Sequence, residues 1–138
     1  MFERFALWLL VIGIGAAAIG CSTASETKAS YSTMTVEELN RALEGEKDFL
    51  LVNVHIPYAG EIPKTDVHIP YNQIEENLDQ LPKDKNAKIV VYCRSGGMSR
   101  SAAQKLVQLG YTSVIDVPGG MRDWQAKGYG LKMDASRR

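Results

Sequence analysis

The sequence predicts an α/β fold, a mostly parallel sheet flanked by helices on both faces, and three observations predict it. Phe49–Val54 and Lys88–Tyr92 are near-continuous apolar runs of strand length, the pattern of strands buried on both faces. Around them lie segments whose apolar residues recur at helical spacing, so strands and helices alternate from Thr35 onward. The second of these runs leads directly into a cysteine, a glycine-bearing loop and a helix, at the carboxyl edge where such sheets hold their functional groups.

The elements follow in order. Thr35 and Glu38 have the spacing of a capping box, ahead of Val36, Leu39 and Leu43 on one helical face, and Gly45 stops that helix. Phe49–Val54 is the first clear strand. His55–Tyr71 contains three prolines and no periodicity, which predicts a long irregular crossover; the tetrapeptide His-Ile-Pro-Tyr occurs twice in it, too short an echo to define a repeat. A short helix is expected on Ile74, Leu78 and Leu81, ending at Pro82. After the Lys88–Tyr92 strand, a helix over Ser99–Leu109 turns Ala102, Ala103, Leu106 and Leu109 inward and ends at Gly110. Ser113–Val117 reads as a third strand and Gly120–Lys127 as a last helix carrying Met121 and Trp124.

The chain has 138 residues, enough for one domain with a real core and not for a second catalytic one. Sixteen basic residues balance sixteen acidic ones, interspersed, so there is no basic face of the kind nucleic acid requires. Residues 1–21 differ from the rest: Arg4 precedes an uncharged apolar stretch, Phe5–Ile19, and small residues lead up to Cys21. This is the pattern of a secretory signal. Ala18-Ile19-Gly20-Cys21 resembles the lipobox of bacterial lipoproteins, in which the cysteine is acylated and heads the mature chain. The expected location is the cell envelope, outside the cytoplasm on the periplasmic or extracellular side, with the domain tethered to membrane by lipid on Cys21. An uncleaved anchor is the alternative, although the apolar run is shorter than the ~20 residues that span a bilayer. Residues 22–32 are rich in Ser, Thr and Ala and read as a flexible tether, residues 33–131 as the folded domain, and residues 132–138 as a C-terminal tail.

With Cys21 lipidated, Cys93 is the single free thiol of the mature domain, and no internal disulfide is available to it. Its sequence context is Cys93-Arg94-Ser95-Gly96-Gly97-Met98-Ser99. Gly96 and Gly97 permit backbone conformations in which successive N–H groups face inward as an anion nest. The start of the next helix adds roughly 0.3–1 kcal/mol for a nearby anion. Arg94 helps if its guanidinium turns inward, and the hydroxyls of Ser95 and Ser99 are further donors, Ser99 being equally suited to capping the helix. A buried small hydrophobe ending a core strand is the plain alternative for Cys93. His55 and His68 flank the proline-rich loop; with Cys93 they offer three ligands at spacing that matches no metal site, so no metal and no cofactor is expected.

A thiolate in an anion cradle suits phosphoryl transfer or sulfur transfer. Phosphatases of this type place an arginine after five intervening residues, where this chain has Ser99, with Arg100 one position beyond. They also need an acid for the leaving group, whereas sulfur transfer expels a group that leaves without a proton.

On these residues the chain resembles a single-domain rhodanese-like protein. Cys93-Arg94-Ser95-Gly96 with Ser99 is similar to the active-site loop of that family, and Gly119-Gly120-Met121, Trp124 and Gly128-Tyr129 resemble its C-terminal signature. The likeness spans Ser32 to about Leu131. It is looser in the first half, where Asn53-Val54-His55 stands for the more usual Asp-Val-Arg and Val67-His68-Ile69-Pro70-Tyr71 for Gly-His-Ile-Pro-Gly. The resemblance implies a rhodanese-like α/β fold and a sulfurtransferase in which Cys93 takes a sulfane sulfur as a persulfide, held by the loop from Arg94 to Ser99. A thiol or cyanide then accepts it. The implied partners are a small sulfur donor, thiosulfate or a persulfide, and a thiol acceptor. Met98 stands where thiosulfate-using members carry a cation, which favours an apolar or thiol-linked donor. A non-catalytic anion- or partner-binding module is the alternative function. Tyr58 and Tyr71 are candidates for the pocket wall or for packing.

Overall fold

The computed structural model describes residues 30–137. The expected signal segment, residues 1–21, with Cys21, lies outside the described residues, as does most of the expected tether, 22–32. Among the described residues no helix is long and apolar enough to cross a membrane.

Five parallel strands form one sheet in the order β1-β5-β4-β2-β3, with β1 at Ser32–Thr33, β2 at Leu50–Asn53, β3 at Val67–His68, β4 at Ile89–Tyr92 and β5 at Val114–Val117. The central strand β4 shows why the apolar runs belong here. Ile89, Val91 and Cys93 face one side, Val90 and Tyr92 the other, and all five are at most 2% exposed. Helix α2, Gly97–Gln108, covers the first side with Ala102, Ala103 and Leu106; helices α1, Val36–Glu44, and α3, Gly120–Ala126, cover the second with Val36, Leu39, Leu43, Met121 and Trp124. Each large apolar side chain buried this way contributes about 1.5–3 kcal/mol, so the two layers together hold the sheet.

The α1 capping box forms as its spacing predicts: the Glu38 N–H donates to Thr35 Oγ1 at 3.2 Å, and the Thr35 N–H to Glu38 Oε2 at 2.7 Å. Three features differ from the sequence expectation. β1 and β3 are two residues each, too short to produce periodicity, and Ser32, expected in the tether, pairs with Ile115. The segment after Tyr71 is a 3₁₀ helix, Glu75–Gln80, broken at Asn77. A three-residue turn with a kink does not keep the 3.6-residue stripe, so Ile74 and Leu81 are buried while Leu78 stands 42% exposed. Residues 132–137 are docked: Glu61 and Lys132 exchange backbone hydrogen bonds of 2.8 Å, the Asp134 N–H donates to the Tyr58 hydroxyl, and Arg137 Nη1 meets Glu61 Oε2 at 2.8 Å.

Candidate functional site

The central strands end level, because Asn53 pairs with Tyr92 and Tyr92 with Val117. Val54, Cys93 and Pro118 therefore follow at one rim of the sheet. Cys93 is 2% exposed, and its sulfur receives the N–H of Gly96 at 3.0 Å. The Ser99 hydroxyl lies 3.6 Å from the same sulfur and donates to the Gly96 carbonyl at 3.2 Å.

Two glycines hold the loop in this shape. Gly96 has φ of 101° and lies so close to Pro118 that a Cβ there would stand 2.5 Å from its carbonyl oxygen. Gly120, φ 56°, meets the loop from the other side, where a Cβ would come within 2.3 Å of the Cys93 carbonyl oxygen. That close approach lets the Met121 and Arg122 N–H groups, at the start of α3, bind the carbonyls of Cys93 and Arg94 at 2.9 and 3.0 Å. The Gly96 carbonyl is also taken, by the Arg100 N–H at 3.1 Å. With three loop carbonyls committed to helices, the negative ends of those peptides are tied away from the sulfur and a positive end, the Gly96 N–H, points at it. The Gly119-Gly120 pair thus serves the cysteine loop from 26 residues downstream in sequence.

Cys93 lies at the base of an open pocket of about 350 Å³. Arg94, Ser95, Gly97 and Met98 of the loop line it, together with His55 and Tyr71, while Gly96 and Ser99 do not. Arg94 and Ser95 are exposed and Met98 is half-buried. Ser99, by contrast, is fully buried behind the sulfur. It is not the helix cap: α2 begins two residues earlier than expected, and the cap position belongs to Gly96, whose left-handed conformation needs no side-chain partner.

Of the two tyrosines, Tyr71 reaches the pocket and Tyr58 does not; Tyr58 packs edge-on against His68. His55, expected as an ordinary loop histidine, faces the pocket. Partial burial, then the nearby charge of Arg94, then His68 hold its pKa below the usual 6.5. No pattern in the proline-rich loop marks His55 for the site or separates Tyr71 from Tyr58, since the crossover that carries them has no periodicity. The available signal is that His55 follows directly on a strand that should end beside Cys93. Asp116 was missed as well. It sits on β5, 2% exposed, and its Oδ1 has no hydrogen-bond partner among the described residues. Burial pushes its carboxyl up, opposed by the hydroxyl of Ser99 and the charge of Arg100. Strand alternation from Val114 places Asp116 on the α2 face.

The site can hold an anion or a sulfur adduct against Cys93, and among the described residues no carboxylate lines it. Arg100, the arginine nearest to phosphatase spacing, is exposed on α2 and outside the pocket wall. Fold and site define a class: single-domain parallel α/β proteins with a cysteine at the base of a strand-to-helix loop. The rhodanese-like domain family matches over residues 35–127, and the chain belongs to it. It is similar to a protein named sulfurtransferase from Allochromatium vinosum, 35% identical over 95 residues that cover 67% of this chain and 86% of that one. It is also similar to thiosulfate sulfurtransferase PspE of Escherichia coli, 32% identical over 74 residues covering 52% of this chain and 70% of that protein. Among solved structures, a rhodanese-like domain protein from Staphylococcus aureus matches with a TM-score of 0.63 at 28% identity, covering 75% of this chain and 99% of its own.

Proposed function

We propose that this protein is a rhodanese-type sulfurtransferase that carries sulfane sulfur on Cys93. The observation that carries the reading is the Gly96 N–H aimed at the Cys93 sulfur at 3.0 Å in a pocket lined, among the described residues, by no carboxylate. Such a site stabilises negative charge on sulfur and offers no carboxylic acid to a leaving alkoxide, which suits sulfur transfer and disfavours phosphoryl transfer. In the first half-reaction the Cys93 thiolate attacks the outer sulfur of a donor R–S–S⁻. The donor's S–S bond breaks, RS⁻ leaves with the bonding pair, and the outer sulfur remains on Cys93 as a persulfide. In the second half-reaction an acceptor thiol takes that sulfur, which is covalent, two-step catalysis.

The donor we favour is a persulfide rather than thiosulfate. Met98 and Tyr71 give the pocket apolar walls, and Arg94, the one permanent cation lining it among the described residues, is exposed to solvent, where its pull on a dianion is screened. Mass spectrometry after incubation with either donor tests both points: a single added sulfur is expected, absent in Cys93→Ser and more abundant with the persulfide. No adduct with any donor rejects the carrier role. The signal-like segment and Cys21 further support a lipid-tethered protein of the cell envelope. Labelling with a fatty-acid analogue in cells tests this, with label expected on the native chain and none on Cys21→Ser; equal label on both rejects the tether.

A further inference from the structure

An acceptor thiol attacks a persulfide as its thiolate, so the second half-reaction needs a proton taken from R–SH. The side chains in the pocket wall that can exchange protons are Cys93, Arg94, Tyr71 and His55. Cys93 carries the sulfur. An arginine has no lone pair to offer a proton, and a phenolic oxygen is a far weaker base than an imidazole nitrogen. The imidazole remains, the one group among them whose ordinary range lies at neutral pH.

The fold presents His55 deliberately. Its N–H donates to Asn53 Oδ1 at 3.0 Å, and the Asn53 amide, fully buried, is in turn fixed by its bond to the Gly60 carbonyl at 2.9 Å. Its carbonyl accepts from Nε2 of His68 at 2.7 Å; a carbonyl only accepts, so that nitrogen of His68 carries the proton. Both peptide groups of His55 are thus clamped, and His55 lines the same pocket as Cys93. The charged and titratable groups that face it are Arg94 from the cysteine loop, His68 from β3, Tyr71 just beyond β3, and Cys93 at the end of β4. None of them is a carboxylate that would fill the imidazole with a proton, and its lowered pKa keeps it in the accepting form at neutral pH.

We infer that His55 is the general base that deprotonates the acceptor thiol in the second half-reaction. This rests on the reading of Cys93 as the sulfur carrier. His55 takes the proton of R–SH; the thiolate attacks the outer sulfur of Cys93–S–S⁻, and the S–S bond breaks with its pair going to Cys93. The product R–S–S⁻ recovers the proton from the imidazolium and leaves as R–S–SH, and Cys93 is again a thiolate.

The test separates loading from unloading in the full-length chain. Cys93 is first loaded from a persulfide donor, and single-turnover transfer is then followed to an alkyl thiol such as 2-mercaptoethanol and to 2-nitro-5-thiobenzoate, which is already a thiolate at pH 7. A thiol titrating two units above the assay pH is about 1% thiolate, so His55→Gln should slow the alkyl acceptor about 100-fold. Loading, and transfer to the aryl thiolate, need no proton removed from a thiol, so any loss there should be smaller than the alkyl loss by at least about 30-fold. Added imidazole should restore part of the alkyl rate in His55→Ala. Equal losses with both acceptors, or none, overturn the role. Unmutated protein gives a second reading should the variants fold poorly: transfer to the alkyl thiol is expected to fall as pH drops through the His55 pKa, below 6.5. A rate that climbs tenfold per pH unit up to the thiol's own pKa overturns it equally. Failure of loading itself counts against the carrier reading instead.

Discussion

Replacing Gly120 with alanine isolates the contact that shapes the cysteine loop. Two costs apply. A left-handed backbone, φ 56°, costs an ordinary residue about 1–2 kcal/mol. The new Cβ would also lie 2.3 Å from the Cys93 carbonyl oxygen, where real Cβ contacts do not fall under 3.0 Å, so carbonyl and helix must separate. Overpacking of this kind costs a further 1–3 kcal/mol or so. Gly110 supplies the control: its φ is 95° and a Cβ there meets nothing within 4 Å, so Gly110→Ala carries the backbone cost alone. Urea denaturation at unchanged slope should then place Gly120→Ala about 1–3 kcal/mol below Gly110→Ala.

Function should divide the two variants more sharply than stability does. Gly110 ends α2, with its N–H on the Val107 carbonyl, far along the helix from the cysteine. Gly120→Ala instead pushes on the peptide of the nucleophile and strains the bonds from Met121 and Arg122 that fix it. A displacement near 1 Å at a reacting group can cost about 10²-fold in rate. Sulfur loading measured under conditions where both variants remain folded should be near normal in Gly110→Ala and reduced about 10–100-fold in Gly120→Ala. Equal stability and equal loading in the two would refute the idea that close packing of α3 on the loop, rather than glycine's backbone freedom, sets the site.

Three other outcomes are expected. Met98→Lys puts a cation on the pocket wall and should lower KM for thiosulfate about tenfold while leaving a persulfide donor within about twofold, a change of about 1.4 kcal/mol for the dianion alone, read by steady-state kinetics with both donors. Arg137→Ala leaves the Glu61 carboxylate, its side chain 10% exposed, without its cation and should cost about 1–3 kcal/mol by denaturation; adding Glu61→Gln should recover part of the loss, and no change in either variant would mean the C-terminal contact contributes nothing. Asp116 has its carboxyl pKa raised in the fold by burial, so the folded state holds the proton more tightly than the unfolded chain; the resulting stability is complete below about pH 4 and is lost as pH rises through the folded value. Asp116→Asn lacks this loss, and its stability relative to the unmutated protein should climb between pH 4 and 7 by no more than about 1.4 kcal/mol per unit; a flat difference would show that the carboxyl is not perturbed.

Much of this fold was legible in the sequence because its central elements are long enough to repeat a period. The apolar runs of β2 and β4, the stripe of α1 and the small inward residues of α2 each declare a face. β1 and β3 have two residues apiece and declare nothing; their place comes from neighbours that offer unpaired backbone, β5 to Ser32 and β2 to Val67. Leu78 misled for a related reason, since a kinked 3₁₀ turn breaks the spacing on which its inward placement relied. The base of the candidate site, from Cys93 to Ser99, could be recognised because strand, loop and helix are contiguous. Of the residues opposite, only Tyr71 was a candidate, alongside Tyr58, and His55 was not, because they arrive through a proline-rich crossover whose path is decided by backbone bonds such as Ile69 N–H to Asn53 and Tyr71 N–H to Val54.

That division between base and wall has a chemical counterpart. The base is built from backbone: the Gly96 N–H on the sulfur, and carbonyls tied to α2 and α3, groups held in place by Gly96 and Gly120 and not by polar side chains. A base of that kind stabilises any sulfur-bound negative charge, thiolate or persulfide, and so sets the reaction type without choosing the substrate. Choice falls to the side chains around it. Met98 on α2 and His55 and Tyr71 on the crossover present an apolar surface with one neutral titratable nitrogen, and Arg94 is the single fixed charge, at the solvent edge. A dianionic donor gains little from such a wall, whereas a thiol-bearing donor or acceptor can bury its carbon atoms there and meet a proton acceptor beside the sulfur. Substituting the wall should therefore change which sulfur compounds are used, and disturbing the glycines beneath it should slow transfer from all of them alike.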